Sequence, residues 1–113
     1  MKSFHASHVE ASEAGDYFQV LFEEGPEDST NYVLIQCGFE EAVSRKCYVE
    51  EGTPVTAGHF LFRKAELGRD HFLAELADPQ NNRLEVTFAV SEADFAELKR
   101  VMKIMIPHVR LAE

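Results

Sequence analysis

The chain has 113 residues, a hydrophobic content of 45% and nine phenylalanines, which suits one packed domain spanning 1–113 and leaves no room for two. Its 20 acidic and 11 basic residues give a net charge of −9, and such a surface repels phosphate backbones and anionic lipid, disfavouring nucleic acid and membranes as partners. No stretch approaches the roughly 20 apolar residues of a membrane span, and residues 1–15 lack the basic start and apolar middle of a secretory signal, so a cytoplasmic, reducing location is expected.

The pattern along the chain predicts strand after strand and then one helix. Phe4 to Val9 has the make-up of a first strand, and Tyr17 to Glu23 is β-rich, with turn chemistry at Gly15-Asp16 before it and from Glu24 to Thr30 after it. Asn31 to Phe39 contains the unbroken apolar run Tyr32-Val33-Leu34-Ile35, the mark of a central strand covered above and below. Cys47-Tyr48-Val49 is a shorter strand, and Glu51 to Gly58 reads as a loop. Phe60 to Leu67 and His71 to Ala77 flank a short Gly68-Arg69-Asp70 turn.

Asp78 to Asn82 is a strong turn signal. After it Leu84, Val86, Phe88 and Val90 alternate with Glu85, Thr87 and Ala89, as in a strand with one buried face. Ser91 then supplies an N-cap for a helix. Its acids come early (Glu92, Asp94, Glu97), its bases late (Lys99, Arg100, Lys103), and Phe95, Leu98, Val101, Met102 and Met105 form an apolar stripe. Pro107 ends it near Ile106. The expected class is α+β: an antiparallel, meander-like sheet of about six or seven strands with the C-terminal helix packed on one face.

Catalytic signatures are not found. His5 and His8 would point to opposite faces of a strand, and His59, His71 and His108 are isolated in sequence, so no metal site and no cofactor is expected. The six glycines are scattered singly and no nucleophile sits in a recognisable catalytic setting, so the chain is not expected to be an enzyme. Cys37 and Cys47 could meet across a hairpin, but in a reducing compartment they read as buried free thiols in preference to a disulfide.

The charge is the most informative feature. Residues 1–58 hold eleven acids against three bases, whereas residues 59–113 hold nine against eight. Glu23, Glu24, Glu27, Asp28, Glu40, Glu41, Glu50 and Glu51 cluster near predicted strand ends and loops. They are either a solubilising surface or contacts for a basic protein partner, which the segregation of charge would attract.

The order of the segments Tyr32-Val33-Leu34-Ile35-Gln36, Cys47-Tyr48-Val49-Glu50-Glu51, Ala65-Glu66-Leu67-Gly68-Arg69-Asp70-His71-Phe72 and Leu84-Glu85-Val86-Thr87-Phe88, followed by the acidic-start helix with Phe95, Leu98 and Val101, resembles the bacterial polymorphic-toxin immunity proteins, in particular the immunity protein ten family. The likeness spans roughly residues 30 to 106. Thr56-Ala57-Gly58-His59 departs from it, where a glycine- and tyrosine-rich stretch would be expected. The resemblance implies an α+β protein that neutralises a toxin by occlusion and carries no catalytic residues. The alternative is a small-ligand-binding or regulatory domain, possible as an edge-paired homodimer, with Phe60, Phe62 and Phe72 lining a pocket.

Overall fold

The computed structural model describes residues 2–15, 17–25, 31–38, 47–52, 56–77 and 83–112. In chain order the elements are β1 (Lys2–Ala6), β2 (His8–Ala14), β3 (Tyr17–Glu23), β4 (Tyr32–Gly38), β5 (Cys47–Glu51), β6 (Thr56–Phe60), β7 (Phe62–Leu67), β8 (His71–Leu76), β9 (Arg83–Phe88), α1 (Glu92–Met105) and β10 (Arg110–Leu111). The α+β class and the C-terminal helix are as the sequence predicts. The strands form two five-stranded sheets: sheet A in the order β1-β9-β8-β7-β10, and sheet B in the order β2-β3-β4-β5-β6.

Each sheet has a meander at its heart, because short turns pair sequence neighbours. Sheet B is antiparallel throughout. In sheet A the β7-β8-β9 meander gains a parallel strand on each edge, β1 beside β9 and β10 beside β7. The chain passes between sheets at two single-residue joints, Ser7 and Leu61. The Ser7 amide donates to the Glu23 carbonyl at 2.9 Å and its hydroxyl to the Glu24 carbonyl at 2.7 Å, while Leu61 accepts from the Ala77 amide at 2.9 Å. These joints split the two stretches that read in sequence as single strands, Phe4 to Val9 and Phe60 to Leu67. A bend of one residue leaves no composition signal.

The core lies between the sheets. Alternation turns Phe18, Val20 and Phe22 of β3 inward against Phe72 and Leu76 of β8 and Leu84, Val86 and Phe88 of β9, all of them buried. Phe22 stacks on Phe72 at 5.6 Å and on Phe88 at 5.7 Å between ring centroids. Each fully buried side chain of this size contributes on the order of 1.5–3 kcal/mol from its removal from water. Phe62 and Phe72, considered from the sequence as pocket-lining residues, belong to this packed interior, and Phe60 is partly buried against it.

Helix α1 packs against β2 and β3 and sends Leu98, Val101, Met102 and Met105 into the same core. Ser91 has the extended φ/ψ of an N-cap, and its hydroxyl accepts from the Asp94 amide at 3.1 Å. The Arg69 guanidinium sits 5.1 Å above the Phe95 ring, and it also donates to the Val90 carbonyl at 2.9 Å. The helix entry is thereby tied to the β7–β8 turn.

Cys37 and Cys47 form a disulfide, against the expectation of free thiols. The antiparallel β4–β5 register pairs Gln36 with Tyr48, so the next residues outward, Cys37 and Cys47, stand directly opposite with Cα atoms 4.8 Å apart. That separation lies within the range a disulfide spans. The bond lies on the inner side of sheet B, with both sulfurs 3.8 Å from the Met105 carbonyl at the end of α1.

Candidate functional site: the open face of sheet B

The strands of sheet B contain no lysine or arginine, but they carry Glu10, Glu13, Glu23, Glu50 and Glu51. The imbalance seen between the halves of the sequence thus becomes an imbalance between sheets. Registers and alternation turn one set of side chains away from the core. Glu10, Leu21, Leu34, Glu50 and Ala57 form one cross-strand row, and Ser12, Gln19, Gln36, Tyr48 and His59 the next. Tyr17 and Tyr32 lie on the same face. Helix α1 packs on the opposite, inner side, as its contact with the disulfide requires. Among the described residues no helix or strand crosses the outer face.

The chain has three tyrosines, and Tyr17, Tyr32 and Tyr48 all stand here. Tyr17 is exposed, and Tyr32, Tyr48, Leu21 and Leu34 are half-buried. The apolar run of β4 does make a central strand, but Tyr32 and Leu34 look out on this open face. The expectation of a strand covered on both sides is corrected accordingly.

Glu50 organises the centre of the face. Tyr32 donates its hydroxyl hydrogen to Oε2 of Glu50, and Tyr48 donates to Oε1, each at 2.5 Å. The two phenols hold the Glu50 carboxyl below its usual range, and the carboxylate in turn pushes Tyr32 up to about 12 and raises Tyr48. The Gln36 amide donates to the Gln19 carbonyl oxygen at 2.7 Å, and the Tyr48 ring meets His59 edge-on at 5.6 Å.

Of the predicted contact residues, Glu23 and Glu50 belong to this face. Glu23 ends β3 with His8 at 3.9 Å. Glu24 follows it, accepting from the Asn31 side-chain amide at 3.2 Å. Glu51 does not qualify: alternation along β5 turns it inward, where it is only 3% exposed. Glu27, Asp28, Glu40 and Glu41 lie outside the described residues. Glu10 and the tyrosines were missed by a reading that followed acid pairs. The available signal was Tyr48 and Glu50 at a spacing of two, which puts them on one side of a strand.

The outer face of sheet A is unlike this one. Arg63 pairs with Glu75 at 3.3 Å and Arg110 approaches Glu66 at 3.9 Å. His71 lies between Asp70 and Glu66, 2.9 Å from each, and hydrogen bonds to Asp70 first and Glu66 second raise its pKa. Gly68 makes this placement possible, since a Cβ there would overlap the His71 ring. A concavity of about 510 Å³ opens on this face, lined by Arg63, Lys64, Glu75, Arg83, Glu85 and Arg110 among others. His59 and His71 lie on the outer faces of different sheets and do not converge. Among the described residues no group of three metal-ligating side chains is gathered, and no helix is long and apolar enough to cross a membrane.

No family model matches the chain, and neither a curated protein nor a solved structure does.

Proposed function

We propose that this chain is a binding protein of the toxin-immunity type, which neutralises a basic, nuclease-like toxin domain by covering its active surface with the open face of sheet B. One observation supports the reading above all. A sheet whose strands lack lysine and arginine presents Glu10, Glu23 and Glu50 among three tyrosines on a face that no described helix or strand covers. Tyrosines bury much area at small entropic cost and recur as interface anchors. A toxin that attacks nucleic acid must offer cations to phosphate, and an acidic sheet offers those cations the same charge. Steering by that charge speeds encounter, which suits an inhibitor that has to act before damage is done.

The test begins by isolating the partner from the cell that makes this protein. Wild type and a Glu10→Lys/Glu23→Lys/Glu50→Lys variant serve as bait at low and high salt. The captured protein is then expressed with and without this chain. The expected partner is basic, is released by salt, is not held by the variant, is toxic alone and is harmless beside the wild type. A partner that is harmless alone, or that the variant holds as firmly as wild type, removes the reading.

A small-ligand or regulatory domain is the second reading, and the concavity on sheet A favours it. Its volume of about 510 Å³ suits a small molecule. Yet two of its arginines already face glutamates, so we place this reading behind the first.

A further inference from the structure

Glu50, half-buried, is set into its surroundings differently from the carboxylates that meet an arginine. Glu13, Glu66, Glu75 and Glu97 each lie within 4 Å of an arginine of this chain. Glu50 instead has a phenol on each oxygen, and no lysine, arginine or histidine among the described residues forms an ion pair with it. Its charge is retained, since the phenols favour the ionised form, and it is left for something outside the chain to match. A carboxylate has about four lone-pair sites, of which the tyrosines use two. Opposite Glu50 on β6 stands Ala57, an exposed residue whose methyl group leaves that side of the carboxylate open.

Resting on the reading of sheet B as a docking face, we infer that Tyr32, Glu50 and Tyr48 form a receptor for one arginine side chain of a protein partner. A guanidinium is planar, and its fork of N–H donors matches the two carboxylate oxygens at once. Its flat face also stacks on phenol rings, which flank the carboxylate here. A lysine ammonium brings the same charge as a compact point and makes neither match. The tyrosine hydroxyls fix the carboxylate before the cation arrives, and His59 braces the Tyr48 ring, so less order has to be imposed on binding.

The chain has no tryptophan and its three tyrosines share this face, so intrinsic tyrosine emission reports on this surface alone. The probes are an end-blocked tri-arginine peptide and its tri-lysine counterpart, titrated into the whole protein by calorimetry and by tyrosine emission. Arginine peptide is expected to bind about tenfold more tightly than lysine peptide, the ratio a single charge-assisted hydrogen bond supports. Glu50→Gln should erase that preference. Tyr32→Phe and Tyr48→Phe keep the rings and should reduce it, while Glu10→Gln should leave it intact. Equal, salt-sensitive binding of both peptides, unchanged by Glu50→Gln, overturns the arginine receptor and leaves the acidic docking face standing. Binding of neither peptide overturns both.

Discussion

The two sheets are of equal strand number and share one core, yet their outer faces are built on different principles. On sheet A opposite charges alternate and satisfy one another: Arg63 with Glu75, Arg110 with Glu66, and His71 between Asp70 and Glu66. Exposed pairs of this kind add little stability, but they match several of the charges on that face within the chain. Sheet B has acids and no lysine or arginine in its strands, and its central carboxylate is held by phenols. The face whose central carboxylate meets no cation of this chain among the described residues is the one suited to a charged partner. Counting carboxylates would not have separated the two faces, because both carry several. Their internal partners do.

The comparison can be broken most forcefully at the core that joins the sheets. Phe22 is fully buried and stacks on two rings of the opposite sheet. Phe22→Ala should therefore cost about 3–5 kcal/mol, read as a lowered midpoint in denaturant. A loss below about 1 kcal/mol, the scale of a surface change, would mean that the sheets barely depend on each other.

The disulfide distinguishes the sheets next. Cys37 and Cys47 clip the β4–β5 pair of sheet B, and the hairpins of sheet A have no counterpart. Replacing both cysteines by alanine should remove roughly 2–3 kcal/mol, the scale expected for a closed loop of about ten residues. Amide exchange should quicken more in β4 and β5 than in β7 to β9. Such bonds persist in oxidising surroundings and are opened in reducing ones, so the same comparison made with and without reductant should reproduce the effect of the double variant. Uniform quickening across both sheets would contradict a local clip.

The smallest effect is a difference in pH response. The pKa of His71 is raised by its two carboxylates. The stability it contributes is therefore fully present below its ordinary value near 6.5 and is lost as pH rises through its higher folded value. Glu50 is shifted down, so its contribution is present above the ordinary carboxylate value and fades as pH falls through the lowered one. Tyr32 contributes below pH 10 and loses that contribution as pH climbs to about 12. Above pH 6.5 the His71 contribution on sheet A should fade, whereas the Tyr32–Glu50 pair of sheet B holds its charge state until pH rises past 10. NMR titration of the His71 ring and of the tyrosine rings checks this, and His71→Gln should flatten the near-neutral stability profile. A stability profile that His71→Gln leaves unchanged would contradict it.

Much of this architecture was legible in the chain. Strict alternation from Leu84 to Val90 marked β9, and Ser91, the graded charges and Pro107 bounded the helix, because caps and periodicity are local properties. The joints at Ser7 and Leu61 left no trace, and with them went the division into two sheets. Of the candidate site, Glu23 and Glu50 were found through their charge. Glu51 was misplaced because adjacent acids on a strand cannot share a face, and the tyrosines went unnoticed because nothing in their spacing links residues 17, 32 and 48 before the strands are paired.

The sequence by itself determined the α+β class, the terminal helix and the concentration of acid in the first 58 residues, since these depend on composition and on neighbours a few positions apart. Only the tertiary structure decided that the acidic strands form a sheet of their own, that Cys37 faces Cys47, and that two tyrosines from different strands close on one carboxylate. The physical reason is register. A shift of one residue in strand pairing exchanges inner and outer faces, and the chain settles that shift only when the alternating rows of Phe22, Phe72 and Phe88 are packed together.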